Sequence, residues 1–100
     1  MITISSRMGS IATTAATDSI IYRSSKAAVN MVMKILANDL EEQGAIVTSF
    51  HPGWVRTDMG GSTAPISAWE SAGCIRKIIA GLGPADNGAF LNYEGEKVPW

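Results

Sequence analysis

Gly44-Ala45-Ile46-Val47-Thr48-Ser49-Phe50-His51-Pro52-Gly53 contains an apolar and β-branched run, Ala45 to Phe50, with no polar alternation. A strand wetted on one face alternates; one that does not is covered on both faces, as in a parallel sheet. His51-Pro52-Gly53 ends the strand, and Gly44 ahead of it suits a helix terminus because glycine takes positive φ at little cost. Upstream, helix formers dominate from about Ser19 to Gln43. There Ala28, Val32, Ile35, Leu36 and Leu40 recur at helical spacing, with Val29 and Met33 widening the stripe. The pattern predicts a long, well-buried helix that feeds a buried strand.

Farther out, the alternation of strand and helix continues. Ile2-Thr3-Ile4-Ser5 reads as a short strand, followed by a small-residue loop up to Asp18. Thr57 to Pro65, with Gly60 and Gly61, reads as a mobile loop. Ser67 and Glu70 fit a capping box ahead of Ala72, Ile75, Ile79 and Leu82, one face of a helix that Gly83-Pro84 stops. Ala89 to Tyr93 predicts the last strand. The order is strand, helix, strand, loop, helix, strand, and each crossover is long enough to require parallel pairing. The expected fold is α/β, with about three parallel strands, a long helix and a shorter one. Two helices are expected to cover at most one face well and to leave the first strand as an open edge.

With 100 residues the chain reads as a single domain spanning 1–100. Eight basic against nine acidic residues, with no block of like charge, give nothing that would recruit nucleic acid or an anionic membrane. Apolar runs fall far short of the roughly 18–20 residues of a membrane span, and Met1 to Thr14 lacks the basic start and apolar core of a signal peptide. A cytoplasmic location is expected. Cys74 stands alone, which leaves neither a disulfide framework nor a zinc-type cluster.

The chemistry concentrates in Tyr22-Arg23-Ser24-Ser25-Lys26. Residues four apart on a helix lie one turn above each other, so the phenol and the ammonium share a face. A phenol ordinarily titrates too high to exchange protons readily near neutrality. A cation roughly 4 Å away stabilises the phenolate by about 4 kcal/mol at an effective dielectric of about 20, which turns the hydroxyl into a usable general acid. Ser5 and Ser6 lie at the carboxyl end of one strand and Pro52-Gly53-Trp54-Val55-Arg56-Thr57 follow the end of another. Open α/β sheets hold their ligands at those ends.

A strand ending in Ile-Ser-Ser, then Tyr-x-x-x-Lys opening a long helix, then a buried strand running into Pro-Gly-x-Val-x-Thr resembles the short-chain dehydrogenase/reductase family. Ile4 to Ile11, Tyr22 to Val29 and Gly88 to Tyr93 resemble, more narrowly, its sniffer-type carbonyl reductases and C-factor-like members. The resemblance implies the carboxyl-terminal part of a Rossmann-like layer and an enzyme that passes hydride between NADP or NAD and a small carbonyl or alcohol substrate. It assigns proton transfer to Tyr22, with Lys26 assisting Tyr22 and binding the nicotinamide ribose, and substrate-oxygen binding to Ser6, with Ser5 as a possible substitute. Pro52 and Gly53 would pack beside the nicotinamide. Val55 would meet the carboxamide through its backbone and Thr57 through its side chain. The family's Gly-rich dinucleotide turn has no counterpart; Gly81-Leu82-Gly83 follows a helix and lacks the third glycine. Weak binding of free cofactor is therefore expected.

Two readings follow: a shortened or partner-completed oxidoreductase, and a non-catalytic remnant that survives as a homo-oligomer through the long helix or the open sheet edge. A hydrolase built on His51, Asp58 and a serine is disfavoured, since Trp69-Glu70-Ser71-Ala72-Gly73 only approaches a nucleophile elbow.

Overall fold

The computed structural model describes residues 1–100. Strand β1 spans Ile2–Ile4, helix α1 Ile20–Asp39, β2 Thr48–His51, β3 Val55–Arg56, β4 Ile66–Ser67, α2 Ala68–Ala80 and β5 Phe90–Asn92. The main sheet has the order β1-β2-β5 and is parallel throughout. Ile2 faces Thr48 and Ser49 faces Phe90 in its register. Its central strand is the Phe50 segment, and Thr48, Ser49 and Phe50 are all buried, as the lack of alternation predicted. The β3–β4 pair, two residues per strand, was not anticipated.

The two helices divide the faces between them, which corrects the expectation of one covered face. Met33 and Ala37 of α1 pack on Val47, whereas Ile75 of α2 packs on Phe50 and Leu91. Each face therefore has a small apolar core of its own, and Phe50, with no exposed surface, anchors the second.

The buried stripe of α1 also differs from the predicted one. Asn30, Met33 and Ala37 are buried, with Val29, Leu36 and Leu40 packed alongside, while Ala28, Met31, Val32 and Ile35 face outward. Of the predicted stripe, Val29, Met33, Leu36 and Leu40 face the core and Ala28, Val32 and Ile35 do not, because both sides of the helix are apolar and spacing alone does not set its rotation. The buried stripe includes an asparagine because Asn30 Oδ1 accepts the Ser5 hydroxyl at 2.6 Å. Helix α1 ends at a cap on Leu40, and a 3-10 turn, Glu41–Gln43, leads to Gly44 at φ 75°. The amino end of α2 follows its sequence signal, with the Ser67 hydroxyl accepting the Glu70 N–H at 3.0 Å.

After β5 the chain turns back. Lys97 bridges Leu91 in antiparallel fashion, and the Val98 N–H donates to the Phe90 carbonyl. The Trp100 ring stacks on Phe90 with centroids 5.3 Å apart. The fully buried Ser10 hydroxyl donates to the Pro99 carbonyl at 2.5 Å and thereby ties the loop after β1 to this tail. No helix is long and apolar enough to cross a membrane.

Candidate active site

A cleft of ≈ 1400 Å³ opens at the carboxyl ends of β1 and β2. Ser6, Tyr22, Pro52, Gly53, Val55 and Thr57, all singled out from sequence, line it. Lys26 does not; its Nζ lies 5.8 Å from the centroid of the Tyr22 ring, on the same helix face. The phenol thus meets the cleft on one side and the ammonium on another, as helical spacing requires.

The two serines separate by strand geometry, because successive side chains point to opposite faces. Ser5 turns inward to Asn30 and does not reach the cleft. Ser6 lines it and caps the 3-10 turn Arg7–Gly9, its Oγ accepting the Met8 N–H at 3.1 Å. A hydroxyl that accepts there keeps its own proton to donate to a ligand oxygen.

The wall beyond β2 is built by hydrogen bonds. Trp54 Nε1 donates to the Gly60 carbonyl at 2.8 Å, and Thr57 Oγ1 accepts the Gly60 N–H at 3.0 Å. The Arg56 guanidinium donates to the Ala64 and Pro65 carbonyls. The glycine-rich loop predicted to be mobile is closed on itself by these contacts. Gly53 has φ 86°, a backbone conformation that requires glycine, and a Cβ there would also displace the Ile66 and Tyr93 side chains, 2.6 and 2.9 Å away.

At the entrance to α1, Ser19 sits at φ 57° and makes no side-chain cap. Its hydroxyl donates to Asp18 and, with Arg23 also bonded to that residue, holds the Asp18 carboxyl below the usual carboxylate range. No cluster of three or more His, Cys, Asp or Glu is placed to hold a metal.

His51 is a site residue that sequence reasoning set aside. Its Nδ1 accepts the Arg7 N–H at 3.1 Å and joins the ends of β1 and β2. Burial, reinforced by the Arg7 charge, holds the imidazole below its ordinary 6.5. The folded chain therefore binds a proton here less readily than the unfolded one. This contribution to stability is complete above about pH 6.5 and is lost as pH falls from there toward the lower folded value. We expect the melting temperature to drop as the pH falls below about 6.5, with a shallower drop in His51→Asn, which keeps an acceptor and loses the titration. Parallel melting profiles of the two proteins would refute this.

A parallel sheet with helices on both faces, and a cleft at its carboxyl ends holding Tyr22 and Ser6, defines a nucleotide-dependent α/β enzyme fold. Residues 1–67 match the family described as short chain dehydrogenase, and the chain belongs to that family. It is 42% identical over 97 residues to the C-signal protein of Myxococcus xanthus, an alignment covering 97% of this chain and 58% of that one. It superposes on the carbonyl reductase Sniffer of D. melanogaster with TM-score 0.89 and 46% identity, covering 99% of this chain and 40% of that one. For the NADPH-bound carbonyl reductase from chicken fatty liver the TM-score is 0.89 and the identity 39%, with 99% and 42% covered. The chain thus spans 58% of the curated relative and about two fifths of the solved reductases.

Proposed function

We propose that the chain carries the proton-transfer site of an NAD(P)-dependent oxidoreductase that interconverts small carbonyl and alcohol compounds. The observation that carries this reading is the Tyr22 ring on the cleft wall with the Lys26 ammonium 5.8 Å from its centroid. In the reductive direction Tyr22 Oη gives its proton to the substrate oxygen, and Lys26 stabilises the phenolate that remains. Ser6 Oγ donates a hydrogen bond to the same oxygen and fixes its position.

The donor set of the cleft fits a nicotinamide ring and its ribose. Pro52 and Gly53 would pack beside the ring, Val55 and Thr57 would meet its carboxamide, and Lys26, which stands behind Tyr22 and outside the cleft lining, would bind the ribose through the flexible end of its side chain. When bound, the cofactor supplies or accepts the hydride. The purified chain, mixed with NADPH or NADH and a reactive aldehyde, should oxidise the cofactor; absence of both turnover and binding at millimolar cofactor would favour the non-catalytic reading.

Self-association through α1 belongs to the same proposal. Met31, Val32 and Ile35 are 62%, 55% and 58% exposed on one side of the helix, and a matching stripe on a second copy would bury them. Ile35→Glu should shift the chain to monomer in sedimentation experiments at the same concentration. A wild-type chain already monomeric at high concentration would refute this part.

A further inference from the structure

The cleft beside Tyr22 carries charge of one sign only. Arg7, Arg23 and Arg76 stand on its walls, and no Asp or Glu does, although the chain as a whole is slightly acidic. Arg23 is already engaged, its Nη2 paired with Asp18 at 3.2 Å. Arg7 and Arg76 form no ion pair, so their charge is free for a ligand.

Arg7 is placed where a ligand oxygen would be read. It follows Ser6 directly at the end of β1, and its backbone N–H is the donor to His51 Nδ1. A neutral imidazole that accepts at Nδ1 carries its proton on Nε2. Arg7 and His51 both line the cleft, so its wall carries a guanidinium and an imidazole N–H donor, with no carboxylate competing for either. A guanidinium matches the planar fork of a carboxylate better than any other side chain. Met8, Trp54 and Met59 supply apolar surface in the same cleft.

We infer that the cleft selects carbonyl compounds bearing a carboxylate on an apolar scaffold, with Arg7 and His51 Nε2 reading the anion. The carbonyl end of this inference rests on the oxidoreductase proposal above; the anion end stands on the charge pattern alone. A phosphate of the cofactor offers the same oxyanion chemistry, and the experiment separates the two sources.

The 100-residue chain, labelled with ¹⁵N, is titrated with 4-formylbenzoate and with its methyl ester, with and without NADPH, and turnover of both aldehydes is followed in parallel. The acid should bind about tenfold more tightly than the ester, and Arg7→Gln should bring that ratio close to one. Arg7 is exposed, so the variant should fold, and the comparison of acid with ester in the wild-type chain needs no variant. Equal affinity for acid and ester, or a ratio unchanged in Arg7→Gln, overturns the inference. Loss of NADPH affinity in Arg7→Gln with an unchanged acid-to-ester ratio assigns the arginine to the cofactor and likewise overturns it. Selective binding of the acid without turnover of either aldehyde supports the anion site and refutes the oxidoreductase reading.

Discussion

Tyr22→Phe should lower turnover by about 10²- to 10⁴-fold, the range that a positioned general acid contributes, while leaving the melting temperature almost unchanged. The second half of that expectation follows from packing. Tyr22 is half-buried and its hydroxyl makes no hydrogen bond within the chain; the residue's backbone carbonyl is what accepts from Ser25. Removing the oxygen therefore strands no buried partner. The ring remains, and with it the nearby ammonium of Lys26. Cofactor oxidation in the presence of a reactive aldehyde, measured beside a thermal melt, checks both halves. Full turnover in the phenylalanine variant would remove Tyr22 as proton donor, and a large loss of stability would make any loss of turnover uninformative.

That prediction rests on a pair four residues apart in sequence, and its legibility has a physical cause. Helical periodicity makes such neighbours local, so Tyr22 and Lys26 could be placed on one face without tertiary information. The same holds for β2, where the Ala45–Phe50 segment, apolar and β-branched without alternation, suits a strand covered on both faces, and for the Ser67–Glu70 start of α2. The buried side of α1 was legible only in part: Val29, Met33, Leu36 and Leu40 face the core as the stripe predicted, but Val32 and Ile35, of the same apolar character, do not. What decides between them is Asn30, which takes the Ser5 hydroxyl across the interface, a contact between residues 25 apart. His51 was undervalued for a related reason: its partner, the Arg7 N–H, is 44 residues away. The β3–β4 pair is too short for any periodicity to register.

Gly9 shows most directly how the two parts of the site are held together. It lies in the 3-10 turn that Ser6 caps, and a Cβ built on it would sit 2.7 Å from the Lys26 carbonyl carbon, 2.8 Å from Lys26 Cβ and 2.9 Å from the Ala27 nitrogen. Two of these three atoms are backbone, in the first turns of α1, and cannot swing aside as a side-chain tip would. Glycine is required here by proximity, since its φ is not positive. Gly9→Ala must push the Ser6 turn away from the helix that carries Tyr22 and Lys26. Overpacking of this kind costs about 1–3 kcal/mol, and a misplacement of about 1 Å between catalytic groups costs on the order of 10²-fold in rate. Both losses are expected together. Gly73, inside α2, provides the contrast, with nothing within 4 Å of its would-be Cβ. Gly73→Ala should raise stability by roughly 0.5–1 kcal/mol, because alanine loses less backbone freedom in a helix. Denaturant midpoints that move in opposite directions for these two glycine-to-alanine changes, with turnover falling only in the first, would tie the serine turn and the Tyr-Lys helix into one rigid unit. Movement in the same direction would mean that the turn and the helix adjust independently and that the close approach at Gly9 does not set the site's geometry.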